Sequence, residues 1–115
     1  MKLDSAVLYS NDIETITNFY QNVLGMELDY RQEDKYVSFK FDNGVRLGIK
    51  KAVEEREVVG SQTFFVDTDN IQEDYERLVE KGVEVYKELN EQSWGKEFSI
   101  LDPDKNKVEF IQRPK

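Results

Sequence analysis

The chain has 115 residues, 16 of them basic and 24 acidic, a formal net charge of −8, and neither cysteine nor histidine. That length fits one domain with a core of its own, and the missing residue types exclude disulfides, thiolate or imidazole metal ligands, and thiol or imidazole catalysis. The acidic balance argues against nucleic acid as a partner, and no apolar run is long enough to span a bilayer.

The first strand is expected in SAVLYS (5–10), a short β-prone run. Asn11, with Glu14 three residues on, has the spacing of a capping box, which satisfies the orphan amides of a first helical turn. Ile13, Ile16, Phe19, Tyr20 and Val23 then fall on one helical face. Gly25 stands where a left-handed C-cap favours glycine, and MELDY (26–30) follows as a second strand. YVSFKF (36–41) alternates, with Val37, Phe39 and Phe41 on one face. DNG (42–44) reads as a tight turn, because both central residues tolerate positive φ, and VRLGIK (45–50) returns. KAVEEREVVG (51–60) is charged and ends in glycine; residues 53–58 are read as a connector.

QTFFVDT (62–68) starts the plan again. Asp69 precedes Gln72 at capping spacing, and Ile71, Tyr75, Leu78 and Val79 share a helical face. Gly82 repeats the role of Gly25. VEVYKEL (83–89), EFSIL (97–101) and KVEFIQ (107–112) read as strands. The last two are joined by DPDKN (102–106), where Pro103 presets a turn torsion. The chain is therefore written twice, as β-α-β-β-β over 1–52 and again over 59–115. A module this small leaves one sheet face open and is marginal alone. The expected class is α+β: a single domain of two tandem βαβββ modules whose mixed sheets curl around a shared cleft, with the helices on the outer faces.

NDIETITNFYQNVLGMEL (11–28) and WGKEFSILDPDKNKVEFIQ (94–112) resemble the vicinal oxygen chelate superfamily, the glyoxalase, bleomycin-resistance and extradiol dioxygenase fold. The matching residues are Phe19, Tyr20, Leu24 and Gly25 at the helix end, then Trp94, Gly95, Asp102, Pro103, Asp104, Asn106, Glu109 and Phe110. Lys105 stands where the family pattern has glycine. The resemblance implies, for the family's enzymes, a metal site at four strand positions. Carried over here, these are Ser5, Arg46, Gln62 and Glu109; a one-residue slip offers Ala6 and Thr63. Arg46 is a fixed cation and cannot ligate, Gln62 offers a neutral oxygen, and Ser5 a weak hydroxyl. The expectation is therefore no metal and no other cofactor, and an Arg46–Glu109 pair in the cleft that lowers the pKa of Glu109.

Alternation sorts the remaining side chains. Val108 and Phe110 are assigned to the helix-covered core, which turns Glu109 and Ile111 to the cleft. Val45, Leu47 and Ile49 are likewise core, and Phe19, Phe65, Phe98 and Phe110 are assigned to packing. Phe64, Tyr36, Tyr9 and Trp94 join Glu109, Arg46, Gln62 and Ser5 as candidates for lining a small-molecule site.

The expected function is metal-independent binding of a small molecule, cationic or aromatic, resembling the bleomycin-resistance branch. That means sequestration or resistance rather than catalysis. Divalent metal belongs only to the alternative, a metal-dependent lyase, isomerase or dioxygenase of the glyoxalase type. The resemblance further implies a homodimer. MKLDSAVLYS lacks the layout of a secretory signal, so the expected location is the cytoplasm, with neither nucleic acid nor membrane as partner.

Overall fold

The structure is a computed structural model that describes residues 1–114. The chain divides into two compact units, Met1–Gly60 and a second beginning at Ser61. Each carries one four-stranded mixed sheet and one helix lying on it, so the βαβββ repeat read from the sequence is the observed plan.

Module one contains β1 (Ser5–Ser10), α1 (Ile13–Asn18), β2 (Glu27–Gln32), β3 (Tyr36–Lys40) and β4 (Arg46–Lys51). Its sheet order is β1-β4-β3-β2; β1 and β4 run parallel and the other pairs antiparallel. The helix is capped by Asp12 rather than Asn11: the Asp12 carboxylate accepts from the Thr15 amide at 3.1 Å and from the Thr15 hydroxyl at 2.7 Å. These bonds hold the Asp12 carboxyl below its ordinary pKa. Past Asn18 the helix widens into a π turn over Phe19–Val23, where Leu24 donates back to the Phe19 carbonyl. The wide turn lets two consecutive aromatics, Phe19 and Tyr20, both be buried, edge to face with centroids 5.4 Å apart. Tyr20 then meets Phe39 of β3, over a core of Ile13, Ile16, Val37, Leu47 and Ile49. Gly25 has the expected left-handed φ of +78°.

The connector belongs to module one. Glu57 is buried and accepts from the Val53 and Glu54 amides and from Lys50 Nζ, at 2.8–3.0 Å. Its carboxyl is held down to about 2, the Lys50 bond contributing most. What reads in the sequence as a charged linker is thus clipped onto the end of β4.

Module two contains β5 (Thr63–Asp67), α2 (Ile71–Glu80), β6 (Glu84–Gln92), β7 (Gly95–Leu101) and β8 (Lys107–Gln112), in the order β5-β8-β7-β6. Here too the helix start differs from the reading of Asp69 and Gln72. Asn70 is the cap without a side-chain bond, and the Ile71 amide donates instead to Gln112 Oε1 of β8 at 2.8 Å. Ile71 and Leu78 are buried, and Tyr75 packs on Phe98, which stacks on Phe110 with planes 7° apart. Val79, assigned to the same helical face, is exposed because it sits at the margin of the apolar stripe.

The turn over 102–106 shows why its residues are as they are. Asp102 Oδ1 accepts from the Asp104 and Asn106 amides, and Asp102 Oδ2 accepts from the Asn106 side chain. Asn106 Oδ1 in turn holds the Gln62 amide at the entry to β5. Both side chains are buried, so this motif is structural. Lys105 adopts φ +68°, the conformation that explains glycine in the family pattern. No helix among the described residues is long and apolar enough to cross a membrane.

Candidate functional site

Each sheet has a helix-covered face and a helix-free, or open, face on which Ser38, Ser99, Glu97 and Glu109 are nonetheless buried, and cross-strand partners share a face. In module one the register pairs Ser5 with Arg46, Val7 with Gly48, Tyr9 with Lys50, and Tyr36 with Lys50. Leu47 and Ile49 are the buried alternates. Ser5, Tyr9, Tyr36 and Arg46, four of the candidates read from the sequence, therefore stand on one open face. A bulge between Leu28 and Tyr30 adds Asp29 to it. Asp29 Oδ2 accepts from Arg46 Nε at 2.9 Å and from Ser38 Oγ at 3.3 Å. The Arg46 bond holds the Asp29 carboxyl below its ordinary pKa. The guanidinium that the sequence reading gave to Glu109 thus has its ion pair inside its own module.

In module two the open face carries Glu109. Its register partners are Phe65 on β5 and Ser99 on β7, and Ser99 in turn faces Lys87 on β6. Glu97, two residues before Ser99, is buried and takes a 2.8 Å ion pair from Lys87. The Glu97 and Glu109 carboxyls lie near enough to shift each other's ionisation. Lys107 Nζ lies 3.6 Å from Glu109 Oε1 and 5.4 Å from the centre of the Tyr86 ring. The result is a row of two carboxylates flanked by two ammonium groups, Lys87–Glu97–Glu109–Lys107, bordered by two exposed aromatics, Phe65 and Tyr86.

This arrangement reverses the expectation for Glu109. Its pKa is raised, not lowered: burial comes first, then the Glu97 carboxylate, and Lys107 offsets only part. Glu97 shifts the other way because its bond to Lys87 favours the charged form. The two carboxylates divide one environment between them, one stabilised as the anion and one towards the acid.

Two assignments on β5 are corrected. Phe64 pairs with Val108, whose side chain is in the core, so Phe64 lies on the helix-covered side. Gln62 precedes the strand, shares the parity of Phe64, and is exposed; its backbone is what the fold uses. Thr63 and Phe65 are the residues on the face of Glu109. Phe65, expected in packing, is an exposed residue at 62%. Trp94 lies in the turn between β6 and β7, partly exposed, off the sheet itself. Sequence reasoning missed Asp29, Lys87, Glu97, Ser99 and Lys107. For Glu97 and Ser99 a signal existed, since they alternate with the core residues Phe98 and Ile100.

The donor set does not suit a divalent cation. Glu109 has a second carboxylate for a neighbour, but two ammonium groups already neutralise the pair and would repel a dication at short range. Among the described residues, no three His, Cys, Asp or Glu side chains gather into a group able to hold a metal ion.

Solved structures share this architecture. TnmS3, an antibiotic binding protein from Streptomyces sp. CB03234, superposes with a TM-score of 0.85 at 22% identity, over 99% of this chain and 97% of that one. A lactoylglutathione lyase from Agrobacterium tumefaciens gives 0.83 at 21%, covering 96% and 92%. TioX from Micromonospora sp. ML1 gives 0.82 at 15%, covering 99% and 100%. At such identities the likeness is one of fold. No curated protein matches the chain. The family model for the glyoxalase/bleomycin resistance protein/dioxygenase superfamily matches residues 2–110. With module one, module two as far as Phe110 and the Asp102–Phe110 segment inside that span, the chain belongs to this superfamily.

Proposed function

We propose that this protein is a binding module that holds a small, aromatic-bearing molecule without metal or other cofactor, in the manner of an antibiotic-binding or sequestering protein. The observation that carries the reading is the charge-matched chain Lys87–Glu97–Glu109–Lys107 at the position where the family's enzymes place a metal-ligating carboxylate. Exposed Phe65 and Tyr86 supply stacking surface on the same sheet. A fold with antibiotic-binding and lyase relatives supports either activity, so the side chains must decide between them.

The test is a thermal-shift and calorimetric screen of aromatic antibiotics and metabolites, beside metal analysis of protein purified without chelator. A ligand that binds the folded state raises apparent stability. The expected result is a midpoint rise with at least one aromatic compound and less than stoichiometric zinc, nickel, manganese or iron. A stoichiometric metal would overturn this reading in favour of a glyoxalase-type lyase, isomerase or dioxygenase. We also propose a homodimer, for which size-exclusion chromatography with light scattering is the measurement.

A further inference from the structure

Module one has a hollow of about 450 Å³, walled by Asp34, Lys35, Lys50, Lys51 and Val53. It lies where the β2–β3 turn, the end of β4 and the start of the connector come together. Its three lysines are not equivalent. Lys50 Nζ is taken: it donates to the buried Glu57 carboxylate at 2.9 Å and to the Lys51 carbonyl at 3.2 Å. The same Glu57 oxygen accepts from the Val53 amide at 2.8 Å, so one buried group fixes two walls of the hollow. Lys51 Nζ has a long contact of 3.6 Å with Asp34, between side chains 45% and 71% exposed. An exposed pair of that kind is worth little and is easily replaced. Among the described residues, Lys35 Nζ has no partner.

The ladder sets Lys35 against Lys51. One step beyond the last registered pair, Tyr36 with Lys50, the Lys51 amide donates to the Lys35 carbonyl at 2.9 Å. Like charges opposite one another on a sheet repel and cost stability until something neutralises them. Counting Glu57 with the lining, the hollow has an excess of one positive charge, on a chain whose net charge is −8. A dianionic oxyanion suits it: several oxygens can accept from both ammonium groups, and the second charge competes with Asp34 for Lys51. The rest of the wall is apolar, since Val53 is 74% exposed and the lysine stems are methylene chains. The volume is that of a small-molecule site and leaves room for more than the anion alone.

We propose that this hollow binds a small organic phosphate, the phosphate bridging Lys35 and Lys51 and the organic body lying on Val53. Lys50 is a positioning residue, which ties β4 through Glu57 to the segment that carries Val53. The site lies within module one and does not depend on the aromatic surface of module two.

The experiment titrates the full, ¹⁵N-labelled chain with phenyl phosphate, inorganic phosphate and phenol at constant ionic strength, followed by NMR. Amide shifts are expected to concentrate at residues 34–35 and 50–53. Phenyl phosphate is expected to bind about fivefold more tightly than inorganic phosphate, from the apolar contact, and phenol to leave these amides unmoved. Lys35→Met and Lys51→Met keep most of the stem and remove the ammonium. Each is expected to weaken phenyl phosphate about tenfold, the worth of one charge-assisted hydrogen bond. Lys107→Met, in module two, should change nothing. Shifts that fall elsewhere, lysine variants that bind as tightly as wild type, or phenol moving the same amides would each overturn the site. Equal affinity for phenyl phosphate and inorganic phosphate would overturn the organic ligand. Each of these failures leaves the binding-module reading standing, because the aromatic screen and metal analysis test that reading separately.

Discussion

Tyr36 lies across Gly48: the tyrosine hydroxyl occupies the space where a β-carbon on residue 48 would sit, and the ring stands against Tyr30 with centroids 6.3 Å apart. The glycine's φ is not in the left-handed region, so it is needed for the close approach of a side chain and not for backbone freedom. Gly48→Ala is expected to push the ring aside at a cost of about 1 kcal/mol, the low end for an inserted methyl, since the obstacle is hinged at the Tyr36 Cα. Urea denaturation of Gly48→Ala, Tyr36→Ala and the double mutant forms a cycle. The two changes should be strongly non-additive, with the alanine at 48 nearly free once the ring is gone. Additive costs would mean the methyl meets something other than Tyr36.

The start of α2 depends on a side chain 41 residues away, the Gln112 amide that accepts from Ile71 N–H. Gln112→Ala leaves that amide without its partner and is expected to cost about 1 kcal/mol, the usual worth of an N-terminal cap. Gln112→Glu retains the acceptor and adds charge favourable to the helix N-terminus, so it should be neutral or stabilising. Equilibrium denaturation of both variants checks the ordering; equal losses would show that the acceptor is not what matters.

Glu57 makes the clip on the connector sensitive to acid. Its folded pKa of about 2 lies below the ordinary 4.5. The stabilisation it confers is therefore complete above 4.5 and is lost as pH falls towards 2. Amide-exchange protection at Val53 and Glu54 is expected to hold at pH 5 and to fade near pH 2. In Glu57→Ala it should be low at both. An NMR titration of the Glu57 carboxyl with its midpoint near 4.5 would sink the prediction.

Glu109 works in the opposite sense. Because its folded pKa is raised, the folded state holds this proton more tightly than the unfolded chain, and stability declines as pH climbs through the window above 4.5. Glu109→Gln keeps the shape and abolishes the ionisation. The variant is expected to have a higher urea midpoint than wild type at pH 7, with the gap closing towards pH 4. A gap that widens at pH 4 would show Glu109 to be stabilised as the anion.

Much of the fold is legible in the chain. The periodicity of Ile13, Ile16, Phe19 and Tyr20, the glycines at 25 and 82, and the DNG and DPDKN turns all act within a few residues, where backbone sterics and side-chain spacing decide structure. The open-face positions of Ser5, Tyr36, Arg46 and Glu109 follow from strand alternation once a neighbouring core residue is recognised. The caps failed by one residue because Asp12 and Asn11 are both good caps, and only the first turn's geometry chooses between them.

The site's chemistry was settled elsewhere. A strand has a period of two, so misjudging Phe64 and Phe65 by one residue exchanged the core-facing ring for the open-face ring. The bulge at Leu28/Tyr30 moved Asp29 onto the side of Arg46, and no propensity marks a bulge there. Glu109 met Glu97 and, through it, Lys87, because β7 lies between β6 and β8 in one register. Sequence by itself determined the superfamily, the repeat and the faces of the strands other than β5, since those depend on local order. Which charge neutralises which was decided only by the tertiary structure, because cross-strand neighbours are chosen by hydrogen-bond register, and the pairing energy of two side chains has no trace in their separation along the chain.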